Sequence, residues 1–277
     1  FLGCLAILLS FLVRTWRWSV LLRTAGYVYP RDILFKCLMF GWFFNYLVPM
    51  RLGDIARGAA LKTTSDAPLG MTLSTIVIER IMDMVTLALL LGVASVFFYQ
   101  EAFMFIEAGA FILIAAMFIA LFLIYRYDEK IICIFEGRVP SIRQSIVLLN
   151  EGLVNTSRNT GAVALSLALS FPVWLFEIGS IFFAARSTGH DLPFAYATIA
   201  GIVAFIAQAL PLTPAGLGIH EATITGILLL FSVQSVVGMS IALIDHFARG
   251  IVIFGFGSIA TIQIAFASRW YFRRMKE

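Results

Sequence analysis

The chain has 277 residues, of which 61% are hydrophobic and only 13% are charged, and its mean hydropathy is +0.95. This apolar share is far above that of soluble domains, so the composition excludes a soluble globular fold. The net charge of +4 comes from basic residues that flank apolar segments, which excludes a soluble nucleic-acid-binding patch and indicates membrane topology.

Five apolar runs are long enough for transmembrane helices, because about 20 residues cross the roughly 30 Å hydrocarbon core. The first continues from Phe1 to Arg14 without a small-residue cleavage site, so we expect a transmembrane helix and not a signal peptide. We therefore predict an all-α integral membrane protein with a single polytopic domain over residues 1–277. The predicted spans are 1–22, 70–99, 103–126, 160–186 and 235–267.

Two further segments each contain an apolar helix, a Pro/Gly break and a second helix. They are 32–62, broken around PMRLGD, and 193–233, broken around PLTPAGLG. Each fits a spanning pair with a broken centre or a re-entrant hairpin. With two re-entrant hairpins, one face of the membrane receives twelve basic residues and the short loops of the other face receive only Arg186.

The twelve basic residues are Arg23, Arg31, Lys62, Arg126, Lys130, Arg138, Arg143, Arg158, Arg269, Arg273, Arg274 and Lys276. The positive-inside rule makes their face cytoplasmic, so we predict two re-entrant hairpins that enter from opposite sides, and a cytoplasmic C-terminus. Interrupted segments of this kind are typical of inverted-repeat transporters, whose site lies where the breaks meet. Two unrelated kinks in a packed bundle would leave the same pattern.

The segment 127–159 has mixed charges and apolar residues at helical spacing. It is predicted to form an amphipathic helix at the cytoplasmic interface, with a plain solvated connector as the alternative.

Charged residues inside apolar segments are costly, so they usually face a polar cavity, a partner or a substrate. In the first such cluster, one acid between two arginines favours a phosphate, to which arginine offers bidentate donors. Its proline and glycine would let the chain reverse. The cluster consists of Asn45, Pro49, Arg51, Gly53, Asp54 and Arg57.

The second cluster is Glu79, Arg80 and Asp83. The two acids are four residues apart on one helical face, and we expect them to orient the arginines of the first cluster. A purely structural ion-pair network is an equal alternative.

The third cluster combines the second break with the last span, and Glu177 is a further, isolated intramembrane acid. Asp245 and Arg249 lie one helical turn apart and are expected to pair; Glu221 and Arg249 are a second candidate pair, across helices. The members of the third cluster are Pro211, Pro214, Gly216, Gly218, His220, Glu221, Asp245, His246 and Arg249.

Signatures of soluble enzyme chemistry are sparse. The sequence contains no P-loop, G-x-S-x-G or HExxH motif, and its three cysteines lack metal or CxxC spacing. We therefore expect no cofactor, no metal site and no catalytic residues.

Three ordered motifs resemble a known family: N-x-x-x-P-x-R-x-G-D-x-x-R (45–57), E-R-x-x-D (79–83) and P-x-x-P-x-G-x-G-x-x-E (211–221). Together they resemble the lysylphosphatidylglycerol synthase transmembrane region family, the flippase-like domain of multiple-peptide-resistance proteins and of free-standing bacterial and archaeal membrane proteins. Two positions depart from the family pattern, since Ala215 stands where members often have glycine, and His220 where they often have arginine.

The resemblance implies a lipid translocase in the cytoplasmic membrane of a bacterium or archaeon. The expected partners are membrane lipids with a phosphate-bearing headgroup, and a homo-oligomer is left open. Nothing in the 277 residues resembles the soluble aminoacyl-transfer domain, so synthase activity is not implied. The alternatives are a membrane-embedded lipid-modifying enzyme, or the membrane module of one, and a scaffold that anchors a soluble partner.

Overall fold

The computed structural model describes residues 1–48, 52–97, 158–208 and 213–274, together with scattered positions between 108 and 155. Every regular element in these residues is helical, which confirms the all-α prediction for the described part of the chain. The elements are α1 (Leu2–Thr24), α2 (Arg31–Leu47), α3 (Gly53–Ser65), α4 (Leu69–Phe97), α5 (Thr160–Ser187), α6 (Phe194–Ala207), a 3-10 turn (Pro214–Gly216), α7 (Ile219–Leu230) and α8 (Ser235–Arg274).

Three described helices are long and apolar enough to cross a membrane, namely Leu2–Thr24, Thr160–Ser187 and Ser235–Ala267. They match the first, fourth and fifth predicted spans. Helix α4 matches the second, while the third span (103–126) and the predicted amphipathic segment (127–159) lie largely outside the described residues. The count of five spans therefore stays a prediction.

Both predicted interruptions separate two helices. Helix α2 ends at Leu47 and is followed by extended backbone at Val48, and α3 begins at Gly53. Between α6 and α7, three residues take left-handed backbone with positive φ: Ala215 at 55°, Gly216 at 75° and Gly218 at 82°. Two glycines thus stand where the turn needs this conformation. The re-entrant course of both hairpins stays a prediction.

A close helix crossing holds the first hairpin together. A Cβ atom added to Gly53 would lie 1.9 Å from the carbonyl oxygen of Gly41, so the α2 and α3 backbones touch at this point. The Asn45 side chain accepts a hydrogen bond of 2.7 Å from the Gly53 amide at the start of α3. This contact brings Asn45 and the neighbouring Asp54 to one end of the hairpin.

The distribution of polarity is typical of a membrane protein. Long apolar side chains on α8 are exposed, among them Phe247 and Phe266, while arginines and carboxylates are buried between the helices. Helix α1 packs along α5, α8 lies against α2 and α7, and the 3-10 turn of the second interruption contacts α2. The second interruption therefore lies against a helix of the first interrupted segment.

Candidate functional site

The buried interior is densely charged. Among the described residues, four arginines and five carboxylates are buried, together with two histidines. They are Arg14, Arg17, Arg57, Arg249, Glu79, Asp83, Glu177, Glu221, Asp245, His220 and His246. The desolvation free energy of so many buried ionised groups must be offset by pairing with one another or with a ligand.

One network joins α1, α3 and α4. Arg17 donates to Asp83 at 2.6 Å and also lies 3.3 Å from Glu79. Arg57 forms an ion pair with Glu79, so the expected pairing between the α4 acids and an arginine of the first cluster is present. The Trp18 ring lies 4.2 Å from the Arg57 guanidinium carbon and adds a cation–π attraction.

A second network joins α1, α5 and α8. Glu177 accepts from Arg14 at 3.3 Å and from Arg249, so the carboxylate that looked isolated in the sequence has two cationic partners. Arg249 lies 3.1 Å from Asp245, which matches the expected pairing one turn apart. The other candidate pair does not form, since Glu221 accepts from His246 and from the Gly218 amide.

Two buried histidines extend the second network. His220 Nε2 lies 3.0 Å from an Asp245 carboxylate oxygen, and its Nδ1 lies 2.9 Å from the Gln208 amide nitrogen. His246 Nδ1 lies 2.6 Å from a Glu221 oxygen. The two imidazole centroids are only 5.1 Å apart.

A cavity of about 90 Å³ lies between the two interrupted segments. The end of α2, the start of α3, the end of α6 and the 3-10 turn all contribute to its wall. This volume holds several waters or a small polar group. Its lining residues are Arg14, Trp42, Asn45, Tyr46, Val48, Asp54, Arg80, Asp83, Met84, Trp174, Glu177, Phe205, Gln208, Thr213, Ala215, Gly216 and Arg249.

Aromatic rings hold two of the cavity's guanidiniums. The Arg14 carbon Cζ lies 5.4 Å from the Trp42 ring and 5.0 Å from the Trp174 ring. Arg249 lies 5.2 Å from the Phe205 ring. Cation–π attraction stabilises these charges without using their N–H donors, which leaves the donors for hydrogen bonds.

Three buried donors on lining residues lack a hydrogen-bond partner among the described residues: Tyr46 Oη, Arg80 Nε and Arg249 Nε. Most buried polar groups in folded proteins are hydrogen-bonded, and each exception costs about 1–3 kcal/mol. Two guanidinium donors and one hydroxyl beside a common cavity suit a ligand rich in acceptor oxygens.

The predicted site residues fall into three groups. Asn45, Asp54, Arg80, Asp83, Glu177, Arg249 and the turn residue Gly216 line the cavity. Arg57, Glu79, His220, Glu221 and Asp245 belong to the buried networks that hold the lining residues. Gly53 and Gly218 precede or begin helices, Pro214 begins the 3-10 turn, and Pro49, Arg51 and Pro211 lie outside the described residues.

The sequence interpretation missed Arg14 and Arg17. It treated α1 as a plain apolar span. A signal was present, because Ser10, Arg14 and Arg17 recur at helical spacing and share one buried face of α1.

The family model described as lysylphosphatidylglycerol synthase TM region matches residues 1–257. The chain belongs to this family. It is therefore an integral membrane protein, and the resemblance noted in its three motifs is confirmed.

Archaeal relatives agree with the family assignment. The UPF0104 membrane protein MJ1078 of Methanocaldococcus jannaschii is 29% identical over 224 residues, which cover 77% of this chain and 91% of that protein. A UPF0104 membrane protein of Methanothermobacter thermautotrophicus is 23% identical over 82% of this chain and 73% of its own length.

Glycosyltransferase AglD of Haloferax volcanii is 21% identical over 92% of this chain but only 47% of its own length. This chain thus spans about half of that protein. No solved structure gives a significant match.

Proposed function

We propose that the protein is a lipid translocase that moves a phospholipid or a lipid-linked phosphate between membrane leaflets. The observation that carries the proposal is the set of donors beside the cavity that lack a hydrogen-bond partner among the described residues, on Tyr46, Arg80 and Arg249. Phosphate oxygens are acceptors that would satisfy them, and arginine binds phosphate with a fixed array of N–H groups.

The charge of the cavity wall suits release as well as binding. Three lining arginines are matched by three lining carboxylates, Asp54, Asp83 and Glu177. A headgroup would compete with these acids for the guanidiniums, so binding would be moderate and reversible. The acyl or prenyl tails would stay in the surrounding bilayer.

The position of the cavity supports alternating access. Both interrupted segments contribute to its wall, and in inverted-repeat transporters the substrate site lies where such breaks meet. In this proposal the hairpins enter from opposite faces, the C-terminus is cytoplasmic, and movement of one half against the other exposes the headgroup to each leaflet in turn.

The test measures transfer of a fluorescent phosphatidylglycerol across vesicles that contain the purified protein, with a membrane-impermeant quencher. Tyr46→Phe removes only a hydroxyl without a described partner, so folding should be unaffected. We expect transfer at low lipid fraction to fall about 10- to 100-fold, because a hydrogen bond to a charged group contributes about 1.5–3 kcal/mol. Tyr27→Phe, in the α1–α2 connection, is the matched control.

Arg51→Ala and Glu221→Gln extend the test to the two breaks, and both are expected to abolish transfer while leaving the protein folded. If all three variants transfer lipid as fast as the Tyr27→Phe control, the assignment of this site is wrong.

The similarity to AglD supports a second candidate, the membrane module of a lipid-modifying enzyme. Only part of that relative aligns with this chain, as expected for a module joined to other segments. Covalent modification of a lipid by the purified protein, without leaflet transfer, would favour this function over translocation.

A further inference from the structure

We propose that His220 and His246 form a proton-binding site linked to the cavity, so that headgroup binding is coupled to proton uptake and lipid transfer to a pH gradient. The inference rests on the proposed function, because it concerns the energy source of the same transfer. It concerns residues that lie beside the cavity and do not line it.

The first support is the geometry of the histidines. Each is buried, and each is hydrogen-bonded to a carboxylate, His220 to Asp245 at 3.0 Å and His246 to Glu221 at 2.6 Å. Histidine is the side chain whose ordinary pKa lies nearest physiological pH, and intramembrane histidine–carboxylate chains often serve as proton relays. Because the two ring centroids are only 5.1 Å apart, a positive charge on one imidazole disfavours a second on the other, so the pair holds one proton.

The second support is the direct connection between the histidines and the cavity. Gln208 lines the cavity and also contacts His220 Nδ1 at 2.9 Å. Asp245 contacts both His220 and Arg249, and Arg249 lines the cavity. A headgroup that draws Arg249 toward itself would weaken the Arg249–Asp245 pair, and a proton on the histidine pair would replace the lost cation.

The third support is the balance of buried charge. Five buried carboxylates face four buried guanidiniums among the described residues. The partly buried Arg80 and Asp54 lie 3.8 Å apart and cancel each other. One proton on the histidine pair therefore brings the net charge of these buried groups to zero. A phosphate that pairs with one of the guanidiniums adds negative charge, so it raises the proton affinity of the pair.

Every helix packed around the pair contributes polar groups that would respond to its charge. The histidines themselves lie on α7 and α8. The groups that face them or connect to them are Arg14 and Ser10 on α1, Tyr46 on α2, Asp83 on α4, Glu177 and Ser180 on α5, Gln208 on α6, Glu221 on α7, and Asp245 and Arg249 on α8.

The coupling is reciprocal by linkage, so lipid binding raises proton affinity by the same factor as protonation raises lipid affinity. The proton enters from one aqueous face, resides on an imidazole nitrogen, and leaves on the other face with the lipid. With one proton per lipid, a difference of one pH unit supports a lipid gradient of about tenfold.

Two measurements test the inference. The first is lipid transfer in vesicles with and without an imposed difference of one pH unit. The second records, with a pH indicator in weak buffer, the protons taken up when the detergent-solubilised protein binds short-chain phosphatidylglycerol. Both use the wild type, His220→Gln/His246→Gln, and His190→Gln, an exposed loop histidine, as matched control.

We expect the wild type and the His190→Gln control to transfer lipid faster along the pH gradient and to take up about one proton per lipid. In the double variant, whatever transfer remains should be the same with and without the gradient, and proton uptake should be lost. If the double variant does not fold, His246→Gln alone serves the same comparison.

The outcomes separate the two proposals. Wild-type transfer without a pH response and without proton uptake overturns the proton site and leaves translocation standing. Proton uptake without transfer supports the site and overturns translocation. Absence of both overturns both, and a double variant that keeps the pH response and the uptake assigns the proton to other groups.

Discussion

Gly53→Ala tests the crossing that shapes one wall of the cavity. The Cβ atom of alanine would lie 1.9 Å from the Gly41 carbonyl oxygen and 2.5 Å from the Asn45 side-chain oxygen. Carbon–oxygen contacts are normally about 3.3 Å or longer. Helices α2 and α3 would therefore have to separate by more than about 1 Å, and the Asn45–Gly53 hydrogen bond would be lost.

The cost follows from these two changes. Forcing an extra methyl group into a packed contact costs about 1–3 kcal/mol, and loss of the hydrogen bond adds about 0.5–1.5 kcal/mol. A destabilisation of about 2–4 kcal/mol corresponds to a fall in Tm of roughly 5–15 °C for a chain of this size. Lipid transfer should also slow, because Asn45 and Asp54 line the cavity.

The assay is thermal unfolding of the purified protein in detergent, followed by circular dichroism. Gly226→Ala on α7 is the matched control, because its added Cβ meets no atom of the described residues within 4 Å apart from its own helix backbone. That substitution should raise stability by about 0.5–1 kcal/mol. A Gly53→Ala protein that unfolds at or above the temperature of the control would refute the close α2–α3 crossing.

Three further substitutions have predictable effects on stability, all measurable by thermal unfolding. Ala215 has a φ of 55°, a backbone conformation that costs an alanine about 1–2 kcal/mol. Glycine relieves this strain but has a larger conformational entropy in the unfolded chain, so Ala215→Gly should stabilise the protein by about 0.5–1 kcal/mol. A lower Tm would contradict this prediction. Arg17 is fully buried between Asp83 and Glu79, so Arg17→Met should cost about 3–5 kcal/mol. Lys36→Met breaks a surface ion pair of 3.3 Å with Asp32 and should cost at most about 1 kcal/mol. If Arg17→Met and Lys36→Met destabilise the protein equally, burial does not determine the strength of these two ion pairs.

The helices and their interruptions were predictable from local sequence. Apolar runs above about 15 residues and the Pro/Gly breaks determine where helices form and stop, and the described bounds follow them closely. The turn at Ala215 also follows from local sequence, since this residue adopts left-handed backbone at a position where family members often have glycine. These features depend on residues that are near one another in the chain, so they can be predicted from the backbone preferences of the residue types.

Charge partners were predictable within a helix, and across helices only for Arg57 and Glu79. The Asp245–Arg249 pair follows from a spacing of one turn, whereas the partner of Glu221 was assigned wrongly, because His246 is the residue that packing places beside it. No spacing rule connects Arg14 to Glu177, which are 163 residues apart in the chain.

The sequence by itself determined that this is a helical membrane protein with two broken segments and an unusual number of buried charges. Only the tertiary structure decided that α1 supplies Arg14 to the cavity, that described residues of both interrupted segments line this one cavity, and that two histidines meet beside it. The reason is physical: hydropathy and backbone preference act over a few residues, while the pairing of buried charges is set by which helices pack together.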